Sequence, residues 1–182
     1  MEIQPTNIPD VLLVKPRVFE DERGFFMETY HQHKMQAAGI DFDFVQDNHS
    51  RSQKGTLRGL HYQEENVQGK LVRVAIGAIL DVAVDLRKSS LTFGQWTGAI
   101  LSAENKHQLW VPPGFAHGFY VLSEYADVLY KATDIYNPQA ERCLLWNDST
   151  VGVDWHIADG DTPILSEKDK KGLLLTEVEV FD

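Results

Sequence analysis

Cysteine is nearly absent: Cys143 is the only one in 182 residues. No disulfide can form within the chain, and a reducing compartment is its expected home. No apolar run approaches the roughly 20 residues a membrane-spanning helix needs. The opening MEIQPTNIPD has neither the basic nor the apolar stretch of a secretory signal. Positive charge is scarce too, with 17 Lys and Arg against 27 Asp and Glu and a net charge of −10. That balance argues against a nucleic-acid partner or an acidic membrane surface. There is no repeat, low-complexity tract or linker composition. The expectation is a cytoplasmic protein whose single domain spans residues 1–182.

Against this acidic background, the segment from Arg51 to Arg73 has five basic side chains (Arg51, Lys54, Arg58, Lys70, Arg73) and two acidic ones, Glu64 and Glu65. A local basic patch on an acidic protein suits a small anionic ligand. Elsewhere short β-rich runs alternate with Gly, Pro, Asn and Asp. Val11 to Phe19 reads as a strand interrupted by Pro16, Asp21 to Gly24 as a turn, and 25–30 as a return to β structure. Gln32 to Ala38 reads as a helix stopped by Gly39. Further strands are expected over 42–48, 56–62, 70–77, 79–86, 95–102, 108–112, 117–122, 127–136 and 141–146. About ten short strands without helical crossovers predict an all-β antiparallel sandwich or barrel with a few short helices. The tail LLLTEVEVF fits a last strand on either its own chain or a partner subunit.

The most informative stretch is FVQDNHSRSQKGTLRGLHYQ, residues 44–63. Gln46 and Asn48 are two apart, so an extended chain points both to one face. Arg58 and His61 have opposite parity and would face opposite ways. Gly59 lies between them, and a glycine inside a strand often marks a bulge that turns the next side chain around. Such a bulge would set a guanidinium, an imidazole and two amides on one wall.

His49, His61 and His117 raise the question of a metal. Gly55 to His61 and PPGFAH at 112–117 match parts of the cupin signature. A metal cupin needs a second histidine two residues after His61 and a glutamate soon after. Gln63 and Val67 or Gln68 stand there instead, which argues against a cupin metal. His61 then becomes a candidate general base at neutral pH, in need of a carboxylate to orient its other nitrogen. Asp81, Asp85 and Asp169 are open candidates. Lys70, at the start of KLVRVAIG, can stabilise an enolate oxygen. Tyr130 and Tyr136 are six apart and share a face if their strand runs through both; one phenol can donate a proton while the other ring stacks.

Taken in order, ERGFF (22–26), FVQDNHSRS (44–52), LRGLHYQ (57–63), KLVRV (70–74), DVAVDLR (81–87), SLTFG (90–94), PPGFAHGF (112–119), YADVLYK (125–131) and LSEKD (165–169) resemble the dTDP-4-dehydrorhamnose 3,5-epimerase family. The resemblance runs from about Val11 to Gly172, and SLTFG departs from the commoner proline-containing form. It implies a cupin-type jelly roll, a homodimer, a dTDP-sugar substrate and no metal or other cofactor. It further implies His61 as base, Asp169 as its orienting carboxylate, Tyr130 as acid and Lys70 as enolate stabiliser. Arg23, Phe26, Glu28, Gln46, Asn48, Arg58, His117, Tyr136, Glu141 and Lys168 match positions that hold nucleotide, diphosphate or sugar. The implied reaction inverts C3 and C5, both α to a C4 ketone. Two alternatives remain: an epimerase acting at one carbon only, and a non-catalytic sugar-nucleotide-binding jelly roll.

Overall fold

The computed structural model describes residues 1–182. Its strands are β1 (Glu2–Pro5), β2 (Leu12–Lys15), β3 (Val18–Asp21), β4 (Gly24–Met27), β5 (Gln46–Gln53), β6 (Leu57–Gln63), β7 (Lys70–Ile76), β8 (Ala78–Asp85), β9 (Trp96–Ser102), β10 (Gln108–Val111), β11 (Phe115–Val121), β12 (Tyr125–Ala132) and β13 (Glu141–Cys143). One helix, α1 (Gln32–Ala37), and a 3-10 turn at Asp169–Lys171 complete the elements. The strands form a six-stranded sheet, ordered β1-β2-β10-β7-β12-β5, and a five-stranded sheet, ordered β13-β6-β11-β8-β9. All pairings are antiparallel. The expected all-β, cupin-like sandwich is what the chain forms, and the β3–β4 hairpin is a separate two-stranded unit.

Alternation along the strands explains the two-sheet packing. In β8, Ile79 and Ala83 turn inward onto Val72, Val74, Val111 and Val128 of the facing sheet. Leu80, Val82 and Val84 turn outward, yet they too are buried. Their cover is the chain after β13, which lays Val151, Trp155 and Leu175 over that face. A fully buried leucine such as Leu57 or Leu60 contributes about 1.5–3 kcal/mol by leaving water. The apolar filling between the sheets stops part-way. Beyond it the interior row of β5 reads Gln46, Asn48, Ser50, Ser52, opposite Ala132, Tyr130, Val128 and Ala126 of β12. This polar row is where the sandwich opens.

Several expected boundaries move. The strand expected over 42–48 begins only at Gln46 and runs to Gln53, because Phe42 and Phe44 leave extended pairing to pack against Trp110, Phe42 tilted and Phe44 edge-on, with centroids 5.5 and 5.9 Å away. The strand expected over 127–136 ends at Ala132; there Thr133 pairs with Gly69 through its backbone N–H and its hydroxyl. The last strand stops at Cys143 rather than continuing to 146. β1 lacks apolar alternation and was not expected; it is an edge strand, and Pro5 at its end costs no interior hydrogen bond. The tail makes single bridges to its own chain, Leu173 to Leu144 and Phe181 to Arg87, rather than a strand.

Candidate active site

The expected bulge in β6 is present. His117 of β11 faces His61, but Phe119 faces Arg58, so an advance of two residues on β11 matches three on β6. Gly59 adopts φ +127°, and a Cβ there would lie 2.6 Å from Gly118 Cα. Only glycine tolerates both the angle and the approach. The extra residue leaves Leu60 in the outward-facing apolar cluster and brings Arg58 and His61 to one wall. That wall borders a cleft of about 360 Å³ at the open end of the sandwich.

Each sheet supplies part of the lining. From the five-stranded sheet come Arg58, His61, His117 and Glu141; from the six-stranded sheet come Gln46, Asn48, Lys70 and Tyr130. Tyr130 packs against the apolar core while it borders the cleft. Arg58 spans the two layers, its Nε donating to a neutral partner, Ser52 Oγ, at 2.9 Å. Gln46 donates to Asn48 Oδ1 at 3.1 Å, which fixes the amide pair.

Among the three open carboxylates, Asp169 is the one beside His61, with its Oδ1 2.5 Å from Nε2. Asp81 instead pairs with His117 Nε2 at 2.8 Å, and Asp85 with Arg87. Asp169 is 3% exposed and takes a second bond, at 2.7 Å, from Ser166 Oγ. Burial opposes its charge, but the bonds from His61 and Ser166 prevail and hold the carboxyl below its usual range. Desolvation outweighs that carboxylate at His61 and lowers the imidazole below its ordinary value. A ring that is neutral at pH 7, with Nε2–H donated to Asp169, leaves Nδ1 as its basic nitrogen.

Desolvation also pulls Lys70 down to about 8, and its Nζ sits 5.9 Å from the Tyr130 ring centroid. Burial, helped by the charge of Glu141, raises the Tyr130 phenol and keeps it protonated. Tyr136 reaches the cleft by a different route from the one expected. It lies beyond the end of β12, held by its backbone N–H on Gln46 Oε1 and by its hydroxyl on Glu141 Oε2, both at 2.8 Å. Glu141 is further tied to Lys168 at 2.7 Å. Gln63, at a metal-cupin ligand position, is buried and donates to the carbonyls of Asn66 and Ile135.

Three of the expected residues lie elsewhere. Arg23 is paired to Asp21 in the hairpin turn, Glu28 is paired to Lys34 at 2.7 Å, and Phe26 is 71% exposed. None of them borders the cleft of its own chain. Conversely, Ser50, Gln68 and Phe119 line the cleft and were missed, and His49, which also lines it, was raised only as a metal candidate. Ser50 continues the period-2 row of Gln46 and Asn48 and was readable in principle; Gln68 lies between strands, where no periodicity applies. Cys143 stands across from His61 in the β13–β6 pairing, and the donor atoms of Cys143, His61 and Asp169 lie within 4.8 Å of one another.

Comparison with known proteins adds the family context. The family model described as dTDP-4-dehydrorhamnose 3,5-epimerase matches residues 5–177. The chain is 58% identical over 175 residues to a dTDP-4-dehydrorhamnose 3,5-epimerase from Pseudomonas aeruginosa, covering 96% of each chain. It superposes with a TM-score of 0.94 on a dTDP-6-deoxy-D-glucose-3,5-epimerase from Legionella pneumophila in complex with dTDP-4-keto-L-rhamnose, at 49% identity and with 98% and 94% of the two chains covered. A 3'-monoepimerase from Streptomyces bikiniensis in complex with dTDP-quinovose is similar at 31% identity and a TM-score of 0.87, with 95% and 87% covered.

Proposed function

The chain belongs to the dTDP-4-dehydrorhamnose 3,5-epimerase family, and from that premise we propose a division of labour among the cleft residues. The protein is an epimerase acting on dTDP-4-dehydro-6-deoxyglucose in dTDP-L-rhamnose biosynthesis. In our reading it inverts both C3 and C5 to give dTDP-4-dehydro-L-rhamnose. The C4 ketone acidifies both C–H bonds. His61 Nδ1 removes one proton, the C–H electron pair becomes the enolate double bond, and the carbonyl electrons move to O4. Lys70 stabilises that oxyanion. Tyr130 returns a proton to the opposite face, and exchange with water resets the imidazolium and phenolate before the second carbon reacts.

The observation that carries this reading is the pairing of an Asp169-held imidazole on one sheet with a protonated phenol on the facing sheet, across one cleft, with Lys70 beside the phenol. Such a pair serves inversion, where abstraction and return must come from opposite sides. Arg58, with no carboxylate at its Nε, suits the diphosphate through charge-assisted, bidentate contact. Gln46, Asn48, His117, Tyr136, Glu141 and Lys168 then hold the remaining groups of the substrate. Binding energy from the nucleotide fixes the sugar at the reacting centre.

Arg23, Phe26 and Glu28 enter this reading through a homodimer. They ride on or just after a hairpin whose Phe19, Phe25 and Phe26 are 51, 59 and 71% exposed. A second copy would cover those rings, and the hairpin would extend to the neighbouring cleft rather than its own. Turnover in D2O tests the central claim. Deuterium at C3 and C5 of the product is expected, whereas label at one carbon alone would assign the narrower, single-carbon reaction.

A further inference from the structure

Cys143 takes no part in the chemistry above, yet the β13–β6 register places it directly across from the base. Its Sγ, an imidazole nitrogen of His61 and a carboxylate oxygen of Asp169 lie within 4.8 Å of one another. The three donors come from β13, from β6 and from the 3-10 turn, so folding rather than local sequence assembles them. Asp169 is braced by Ser166, through Ser166 Oγ–H to Oδ2 at 2.7 Å and through its own N–H to Ser166 Oγ at 3.1 Å. The thiol, by contrast, donates only over a long contact, 3.6 Å, to the Leu144 carbonyl.

We propose that His61, Cys143 and Asp169 form an inhibitory site for a thiophilic divalent cation, with Zn2+ the best match. One sulfur, one imidazole nitrogen and one carboxylate oxygen are ligands zinc accepts together, and three protein ligands leave its fourth position for water. This set is distinct from the one a metal cupin uses: His61 is shared, and the other two donors lie outside the signature motifs. On binding, the Sγ–H bond breaks, the thiol proton leaves to buffer, and the ion takes the place of the hydrogen between Nε2 and Oδ1. The ring proton displaced from Nε2 moves through water to Nδ1, so the nitrogen that abstracts protons is no longer basic. The ion is therefore an inhibitor rather than a cofactor. The inhibitory consequence rests on His61 being the base; the binding does not.

The full-length protein is titrated with Co2+ and with buffered Zn2+, alongside Cys143→Ser. In the wild type a near-ultraviolet thiolate-to-cobalt band is expected at one ion per chain, absent from Cys143→Ser. Zn2+ should stop turnover, a chelator should restore it, and Cys143→Ser should need at least tenfold more Zn2+ for the same loss. If the variant does not fold, the wild type still decides. Cys143 is the only thiol, so Zn2+ should slow its alkylation by a maleimide, read by mass. No cobalt–thiolate band, alkylation indifferent to Zn2+, or equal inhibition of Cys143→Ser would each overturn the site. A cobalt band without inhibition would keep the metal site, overturn its inhibitory role and count against His61 as the base.

Discussion

His61 and Tyr130 belong to different sheets and border the same cleft, one from β6 and the other from β12. Two groups mounted this way keep their separation only while the sheets keep theirs. The apolar filling that Tyr130 itself packs against thus maintains the spacing between them.

His61→Ala should lower kcat by about 10²–10⁴-fold, the usual contribution of a general base, while thermal unfolding stays cooperative. Asp169→Asn should also lower kcat, since an amide can leave the wrong ring nitrogen protonated. Steady-state kinetics beside a melting curve separate chemistry from folding. A variant with full turnover would remove His61 from the base role.

Tyr130→Phe keeps the ring packed and deletes only the acid. Proton abstraction should continue while delivery to the other face fails. Exchange of substrate hydrogen with D2O should therefore outpace product formation, and KM should change little. Equal losses of exchange and product formation would contradict the assignment.

The cleft predicts a bell-shaped pH profile for kcat/KM. His61 must be neutral, and its value lies below the ordinary 6.5, so activity falls as pH drops through that lowered value. Lys70 must be charged, so activity falls as pH rises through about 8. Lys70→Arg, whose charge does not titrate in this range, should lower the maximum and abolish the alkaline limb. An alkaline limb unchanged in that variant would assign it to another group.

If the hairpin serves a second copy, two inactive variants should repair one another. His61→Ala and Phe26→Ala, refolded together in equal amounts, yield mixed dimers with one intact site each. At random pairing, recovery approaches about one quarter of wild-type turnover. No recovery despite proven exchange of chains would remove the hairpin from the partner's cleft.

Much of this arrangement was legible in the chain, and the reasons differ by residue. Gln46 and Asn48 obey period 2 along β5, so their shared face needed only an extended backbone. The Arg58–His61 wall needed one inference more, from Gly59, and the register of β6 against β11 bears it out. Asp169 was beyond periodicity: it is 108 residues from His61 and arrives on a 3-10 turn, so only the family resemblance singled it out among three candidates. Tyr136 was placed by a strand that stops at Ala132; backbone pairing to Gly69 ends that strand, and nothing in the alternation of apolar residues marks the end. The location of Arg23, Phe26 and Glu28 was equally hidden, because motif matching names a role without naming which copy of the chain performs it.

The bulge at Gly59 also limits how this chain can change length. Gaining one more residue there would put Arg58 and His61 out of phase again and force a choice: either Arg58 or His61 keeps the cleft wall, and the other trades places with the apolar outer layer. Insertions should thus be absent from the four positions 58–61, however freely they accumulate in the loop at 64–69.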